Sequence, residues 1–383
     1  MGAKQDLIVQ VLLNPKSIAR LNALEWDLLI RQGRRTKLLA RLAYLLADEG
    51  IMPQVPVAAR LHLASAVKLA VRQEVSLRWE VACLQKELAG AGTRITLLKG
   101  AAYAMAGLPA ARGRSFSDID IIVPKARMVD VESELMLYGW QGGHHDEYDQ
   151  RYYRQWMHEI PPLAHVTRGT TIDVHHAILP ETARVKVNTT ALLQAVVPLA
   201  IKPLNPLQPH EALPLFVLQP TDMLLHSATH LFHEGDFDKG LRDLFDLDSL
   251  LRDFGKLPGF WQSLTPRAVE LGLTRPLYYA VRFSTRLLDT PVPDHVVIAA
   301  EVGRPNAVIV GLMDTCYERA LRPLHPSTAS FGNWLARFAL YVRSHWIRMP
   351  AHLLAYHLGR KAFIRPKPPQ PDPNMSSKQE VKV

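Results

Sequence analysis

Apolar residues recur at intervals of three and four through residues 1–90, and this spacing predicts helices. The clearest example is one helix face formed by the apolar residues Leu63, Val67, Ala70, Leu77, Val81, Leu84 and Leu88. Gly90 and Gly92 follow this face, and glycine is common just past the end of a helix. The pattern therefore predicts a helical N-terminal unit that ends near residue 90.

The pattern changes at Arg94, where shorter apolar runs and alternating positions begin. The predicted elements are a strand over residues 94–98, a helix over 101–106, a strand over 118–123 and a helix over 125–138. Lys99 and Gly100 form the turn between the first strand and the first helix. The second strand alternates aspartate with branched apolar residues, which is typical of a strand with one buried face.

Further strands follow, and after Pro180 the helical spacing returns. The predicted strands are residues 152–158, 163–167 and 171–176, and the predicted helices include 221–232, 241–254 and several segments between 261 and 361. Strands and helices mixed within about ninety residues favour a compact α+β fold. We predict a helical lead-in (1–90), a small α+β core with a mixed sheet and flanking helices (91–185), a helical C-terminal domain (186–364) and a disordered tail (365–383).

The composition is that of an ordinary globular protein, with 48% hydrophobic and 21% charged residues among 383. No uncharged apolar run reaches the roughly 18 residues of a membrane span, and the N-terminus lacks the pattern of a secretory signal. We therefore expect a cytoplasmic protein. The net charge of +9 favours anionic partners such as nucleotides, nucleic acid or a membrane surface, although dispersed basic residues are also common on solvated surfaces.

Three aspartates are the candidate site residues. Asp118 and Asp120 are two positions apart on a predicted strand, so both side chains leave the same face. Two such carboxylates repel each other unless cations, protons or solvent offset the charge. Asp173 has the same alternating surroundings on a later predicted strand. If the two strands are neighbours, three carboxylates converge as two-metal phosphoryl transfer requires; otherwise they form an ordinary solvated face.

A resemblance to a known family rests on two stretches, LLKGAAYAMAGLPAARGRSFSDIDIIV and, about fifty residues later, IDVHHAI. They are similar to the uncharacterised nucleotidyltransferase family of the DNA polymerase β-like nucleotidyltransferase superfamily. The superfamily pattern is a strand, a Gly-centred turn, a short helix, a strand with paired acids and a later third acid. Lys99 and Gly100 match the turn, Arg114 the arginine before the acids, Asp118 and Asp120 the pair, and Asp173 the third acid. The similarity extends from about Val81 to Leu251.

The resemblance implies transfer of a nucleoside monophosphate from an NTP to an acceptor hydroxyl or phosphate, with release of pyrophosphate. The implied catalytic and metal-binding residues are Asp118, Asp120 and Asp173, with Mg²⁺ or Mn²⁺, and the implied nucleotide-binding residues are Lys99, Gly100 and Arg114. The acceptor, whether a small molecule, an RNA or a protein, stays open. Ala101 stands where the wider superfamily has Gly or Ser. The alternative is therefore a non-catalytic nucleotide- or partner-binding protein on the same scaffold.

Two other patterns have competing interpretations. His226, His230 and His233 share one face of a predicted helix and could bind zinc, or they are structural or line the substrate. Residues 331–358 mix aromatic and basic side chains. This basic stretch could contact an anionic membrane or nucleic acid; alternatively, it is a helix packed on the domain with its charged face in solvent.

Overall fold

A computed structural model of the protein describes residues 6–143, 157–199 and 214–350, together with Leu353. The N-terminal helices are α1 (Leu7–Leu13), α2 (Ala23–Arg35), α3 (Leu39–Asp48) and α4 (Val57–Glu87). Asn22 and Glu25 start α2 with a capping box, in which each side chain accepts a hydrogen bond from the other residue's backbone N–H. The apolar face predicted on α4 is buried at Leu63, Val81 and Leu84.

Seven strands among the described residues form one mixed sheet. In chain order they are β1 (Ile95–Leu97), β2 (Asp118–Ile122), β3 (Trp140–Gly142), β4 (Leu163–His165), β5 (Thr171–His175), β6 (Val197–Pro198) and β7 (Leu215–Val217). Their order across the sheet is β3-β4-β5-β2-β1-β7-β6. The pairs β2–β5 and β1–β7 are parallel, and the other neighbouring pairs are antiparallel. The predicted α+β fold with a mixed sheet is confirmed.

Helices flank the sheet and form the C-terminal part. They are α5 (Lys99–Met105), α6 (Met128–Leu137), α7 (Thr189–Gln194), α8 (Pro220–His233), α9 (Gly240–Phe254), α10 (Phe260–Leu271), α11 (Thr274–Leu288), α12 (Asp294–Ala300), α13 (Ala307–Ala320) and α14 (Phe331–Arg348). The rings of Phe232, Phe283 and Tyr317 join α8, α11 and α13, with centroids 5.1–5.8 Å apart. One buried cluster extends from Leu7 to Leu340, so the N-terminal helices, sheet and C-terminal helices share a core.

Two strands lie in a part of the chain whose spacing predicts only helices. β6 and β7 fall within residues 186–364, and β7 pairs with β1 inside the sheet. Strands of two or three residues are too short to show a period of two, which is why the pattern missed them. Of the predicted strand 152–158, residues 152–156 lie outside the described residues, and residues 157–158 are not in a strand. The tail at 365–383 also lies outside, and the boundaries of the four predicted parts stay predictions.

The C-terminal helix α14 leaves an aromatic surface in solvent. Its exposed aromatic residues are Phe331, Trp334, Phe338, Tyr341 and Trp346. Arg337 and Arg343 instead turn inward, and their guanidinium groups donate to backbone carbonyls. The helix therefore packs on the domain, but the face that it leaves in solvent is aromatic and not charged. Among the described residues, no single helix has the length and apolar content of a membrane span; only the bent pair of residues 294–303 and Ala307–Ala320, 110° apart, does so jointly.

Candidate active site

Asp120 and Asp173 are direct neighbours in the sheet. β2 and β5 pair in parallel, with Asp120 opposite Asp173 and Asp118 opposite Thr171. Residues opposite each other in a sheet project from the same face, so the two acids leave it side by side. Asp118 projects from this face as well, because it lies two residues before Asp120. The structure thus brings the three predicted aspartates together.

Asp120 is a buried carboxylate with two basic partners. The ammonium of Lys99 donates to its Oδ1 at 2.8 Å, and Nε2 of His175 lies 3.2 Å from the same oxygen. Burial by itself raises the pKa of Asp120, but Lys99 and then His175 outweigh burial and hold this pKa well below its ordinary value. Burial by itself lowers the pKa of Lys99. The negative charge of Asp120 outweighs burial, so the pKa of Lys99 is raised. Both groups are therefore charged at neutral pH.

Asp173 has the opposite environment. Its Oδ1 is buried and has no hydrogen-bond partner among the described residues. Burial, followed by the charges of Asp120 and Glu159, raises the pKa of Asp173 from 3.8 to about 7. A buried oxygen without a partner is costly unless a proton or a cation lies beside it. Carboxylate oxygens are the ligands that Mg²⁺ and Mn²⁺ prefer, so this donor set fits a divalent cation.

Lys99 and Gly100 are the first two residues of α5, which begins two residues after the end of β1. Lys99 has a φ of +43°, in the left-handed region that costs a non-glycine residue roughly 1–3 kcal/mol and is often found at functional sites. Gly100 is required for a different reason: the guanidinium of Arg114 and the ring of Phe116 occupy the space that a Cβ would enter. Ala101, which departs from the superfamily pattern, is buried in the hydrophobic core and its methyl group packs there.

Arg114 belongs to a buried ion-pair network that joins three parts of the chain. Its Nε donates to Oδ2 of Asp246 on α9 at 2.9 Å, and Arg41 on α3 donates to Oδ1 at 2.7 Å. Burial opposes ionisation of Asp246, but Arg114 and then Arg41 bring its pKa below the ordinary value. Two arginines share one aspartate, so the cluster keeps a positive charge beside the acids. The sequence identifies Arg114 but not its partner, because 132 residues separate the two.

The C-terminal helices complete a cleft in front of β2. Its lining residues are Lys99, Gly100, Tyr103, Arg114, Asp118, Asp120, Ser227, His230, Lys239, Arg242, Asp243 and Asp246. Lys239 is exposed, with its Nζ 3.4 Å from Oγ of Ser117, and Arg242 pairs with Asp243 at 2.5 Å. The sequence did not predict these two basic residues as site residues, since their only signal is a spacing of three at a helix start. Asp173 does not line this cleft itself.

Of the three histidines of α8, His230 lines this cleft. Burial lowers the pKa of His226 and of His233 to about 3, so both imidazoles are neutral at physiological pH. Nε2 of His230 lies 3.1 Å from Glu234. Within the described residues, these histidines are not a group whose ligand atoms converge. The arrangement favours the structural or substrate-lining interpretation over a zinc site on this helix.

The mixed sheet and its acidic face, with a strand–turn–helix before the paired acids, define a fold of the nucleotidyltransferase type. The chain belongs to the uncharacterised nucleotidyltransferase family, whose family model matches residues 22–289, well over half of its length. A comparison with curated proteins and with solved structures finds no match. The family supports nucleotidyl transfer as the general activity and a nucleoside triphosphate as a substrate.

Proposed function

We propose that the protein is a Mg²⁺- or Mn²⁺-dependent enzyme that transfers a nucleoside monophosphate from an NTP to an acceptor hydroxyl or phosphate. The observation that carries this proposal is the register that sets Asp120 beside Asp173, where the second acid has a buried oxygen without a partner among the described residues. Family membership supports the reaction class. Neither observation identifies the acceptor, which is a small molecule, an RNA or a protein.

Asp118, Asp120 and Asp173 would hold the metal ions in this proposal. Divalent cations at such a site neutralise phosphate charge and polarise the bond to be broken. Asp120 is ionised in advance because Lys99 and His175 stabilise its charge. In the metal-free protein the pKa of Asp173 is raised to about 7, so this carboxyl group changes protonation state in the physiological range until a cation binds. Before metal binds, the pair therefore combines a permanent negative charge with a group that can hold or release a proton.

The acceptor oxygen would form a bond to the α-phosphorus while the bond from that phosphorus to the β-bridging oxygen breaks. Pyrophosphate would leave with the bonding electrons, and Asp173 would take the proton of an acceptor hydroxyl. Lys99 lies beside Asp120, and Lys239 and Arg242 line the cleft from the C-terminal helices. These cations would bind the triphosphate, together with Arg114. Because Gly100 has no side chain, the guanidinium of Arg114 has room beside it.

The proposal includes two expectations about context. We expect the protein to act in the cytoplasm. We also expect a weak contact between the C-terminal region and an anionic membrane or nucleic acid, since the chain carries a net charge of +9 and α14 exposes aromatic rings. Neither expectation is needed for the proposed reaction, so a negative result for localisation or for surface binding would not contradict nucleotidyl transfer.

The acids provide the direct test of the proposed reaction. Purified protein is incubated with each NTP, Mg²⁺ or Mn²⁺ and a panel of acceptors, and pyrophosphate release is measured. We expect Asp118→Asn and Asp120→Asn each to lower the rate at least about 100-fold, because each removes a metal ligand. The matched control is Asp130→Asn on α6, an exposed aspartate paired with Arg127, which should retain the wild-type rate.

Equal rates in the wild type and the two acid variants would refute the mechanism. The alternative, a non-catalytic nucleotide-binding protein, has its own signature. It predicts metal-dependent NTP binding that Asp120→Asn abolishes, with no pyrophosphate release for any acceptor.

A further inference from the structure

A second group of potential metal ligands, His158, Glu159 and His175, lies beside Asp120. His158 and Glu159 belong to a segment that runs antiparallel to β5, where Glu159 forms an isolated bridge with His175. Two backbone hydrogen bonds fix this segment: His176 N–H donates to the carbonyl of His158 at 2.8 Å, and Ile160 N–H donates to that of Val174 at 3.1 Å. The backbone therefore holds all three side chains at one end of β5.

The side chains of this group converge. One ligand atom from each of His158, Glu159 and His175 lies within 4.8 Å of the others. Oε2 of Glu159 is 3.1 Å from Nδ1 of His175, and the two imidazole rings stack with centroids 5.3 Å apart. Nδ1 of His158 is buried and has no hydrogen-bond partner within the described part of the chain. A buried nitrogen without a partner costs free energy that a bound ion would offset.

We propose that His158, Glu159 and His175 bind a divalent transition-metal ion, of which Zn²⁺ is the best match. Two imidazoles and one carboxylate form a donor set that suits zinc and leaves a fourth position open. This set differs from the three aspartates, whose oxygen-only ligands suit Mg²⁺ or Mn²⁺. The chain thus has two neighbouring sites with different metal preferences.

His175 connects the two sites. Its Nδ1 faces Glu159, and its Nε2 lies 3.2 Å from Oδ1 of Asp120. If an ion binds Nδ1, the ring proton of His175 is on Nε2. The Nε2–H group then donates a hydrogen bond to Asp120. Zinc would therefore fix the tautomer and the orientation of His175, and through them the position of Asp120. This consequence rests on the proposed role of Asp120 in nucleotidyl transfer, whereas the binding site itself does not.

Metal binding tests the site independently of catalysis. Full-length protein is stripped with a chelator, then titrated with Zn²⁺ by calorimetry and with Co²⁺ by visible absorption. We expect one tightly bound Zn²⁺ per chain and a Co²⁺ spectrum typical of low coordination number. His158→Ala and Glu159→Gln should each weaken Zn²⁺ binding about 100-fold or more. Even the loss of a residue that only hydrogen-bonds to a metal ligand typically lowers metal affinity 10–100-fold. Glu159→Gln keeps the size of the side chain, and circular dichroism establishes that each variant is folded.

Two controls separate this site from other metal binding. His295→Ala removes an exposed histidine on α12 and should leave the zinc affinity unchanged. Asp118→Asn should abolish nucleotidyl transfer but retain the zinc. If the wild type binds no stoichiometric zinc, or if His158→Ala and Glu159→Gln bind it as tightly as the wild type does, the site proposed here is wrong. Zinc binding without any nucleotidyl transfer would instead contradict only the proposed function.

Discussion

Asp120 and Asp173 are the same residue type side by side, yet their environments shift their pKa values in opposite directions. Lys99 and His175 more than offset burial at Asp120, whereas burial and neighbouring carboxylates dominate at Asp173. Pairs of acids whose pKa values diverge are typical of catalytic sites, because one stays charged while the other can exchange a proton. The sequence predicts the identity of both residues. It does not predict this difference, which depends on His175 and on the side chains of Lys99 and Glu159 from two other segments.

The raised pKa of Asp173 predicts a pH-dependent stability in the absence of metal. Between about pH 4 and 7 the folded chain keeps a proton that the unfolded chain has lost, so the free energy of unfolding falls as the pH rises. Asp173→Asn removes this contribution. We expect the free energy of unfolding of the variant, relative to that of the wild type, to rise by up to about 4 kcal/mol as the pH increases from 4 to 8. Urea unfolding in EDTA measures it, and a difference that does not grow with pH would contradict the assigned environment.

Gly100 is predicted to tolerate no side chain. A methyl group at this position meets the guanidinium of Arg114, which cannot move away because Asp246 holds it. We expect Gly100→Ala to destabilise the fold by roughly 1–3 kcal/mol and to lower activity. Gly311→Ala on α13 is the matched control, since nothing lies within 4 Å of the added carbon and alanine favours a helix. Thermal unfolding compares the two, and equal stability of both variants would show that Arg114 gives way.

At the scale of elements, the pairing of β2 with β5 creates the site. The period of two within each strand was visible in the sequence, and the prediction that Asp118 and Asp120 share a face follows from it. The neighbouring position of the strands is a tertiary property. The sequence suggested it only through the family resemblance. Short strands such as β7 carry no such period, so the full extent of the sheet was not predictable.

The network between α3, α9 and the loop before β2 predicts a large cost for removing Asp246, the acid that two arginines share. Asp246→Ala removes the ion-pair partner of the buried guanidinium groups of Arg41 and Arg114. We expect a loss of about 3–5 kcal/mol in the free energy of unfolding, measured with urea. Asp253→Ala, on the same helix but in a surface pair with Lys256 at 3.8 Å, should cost about 1 kcal/mol or less. Similar costs for both variants would mean that the network contributes little.

At the scale of the molecule, the cleft draws on all three regions of the chain. α3 supplies Arg41 to the network beside it, the sheet supplies the acids, and the helices after β7 supply Lys239 and Arg242. The site residues of the α+β sheet region could be found from the sequence because they lie within a short, recognisable stretch. The basic residues of the C-terminal helices could not, since they reach the cleft only through packing across one shared hydrophobic core.

The exposed aromatic face of α14 predicts surface binding that is separate from stability. Replacing Trp334 and Phe338 with serine removes two stacked rings that are 58% and 50% exposed. We expect a several-fold loss of binding to anionic liposomes, measured by co-sedimentation, with little change in melting temperature. Leu24→Ser, which alters an exposed apolar residue on α2, is the control and should bind as the wild type does. Unchanged binding by the double variant would exclude this face as the contact surface.

The central claim is that the bond broken lies between the α- and β-phosphates of an NTP. The most direct measurement follows NTPs labelled at either the α- or the γ-phosphate with the full-length protein, Mg²⁺ or Mn²⁺ and an acceptor panel. We predict that the α-label is transferred to an acceptor while the γ-label appears only in pyrophosphate, and that Asp120→Asn abolishes both. Transfer of the γ-label to an acceptor, or its release as inorganic phosphate, would contradict nucleotidyl transfer.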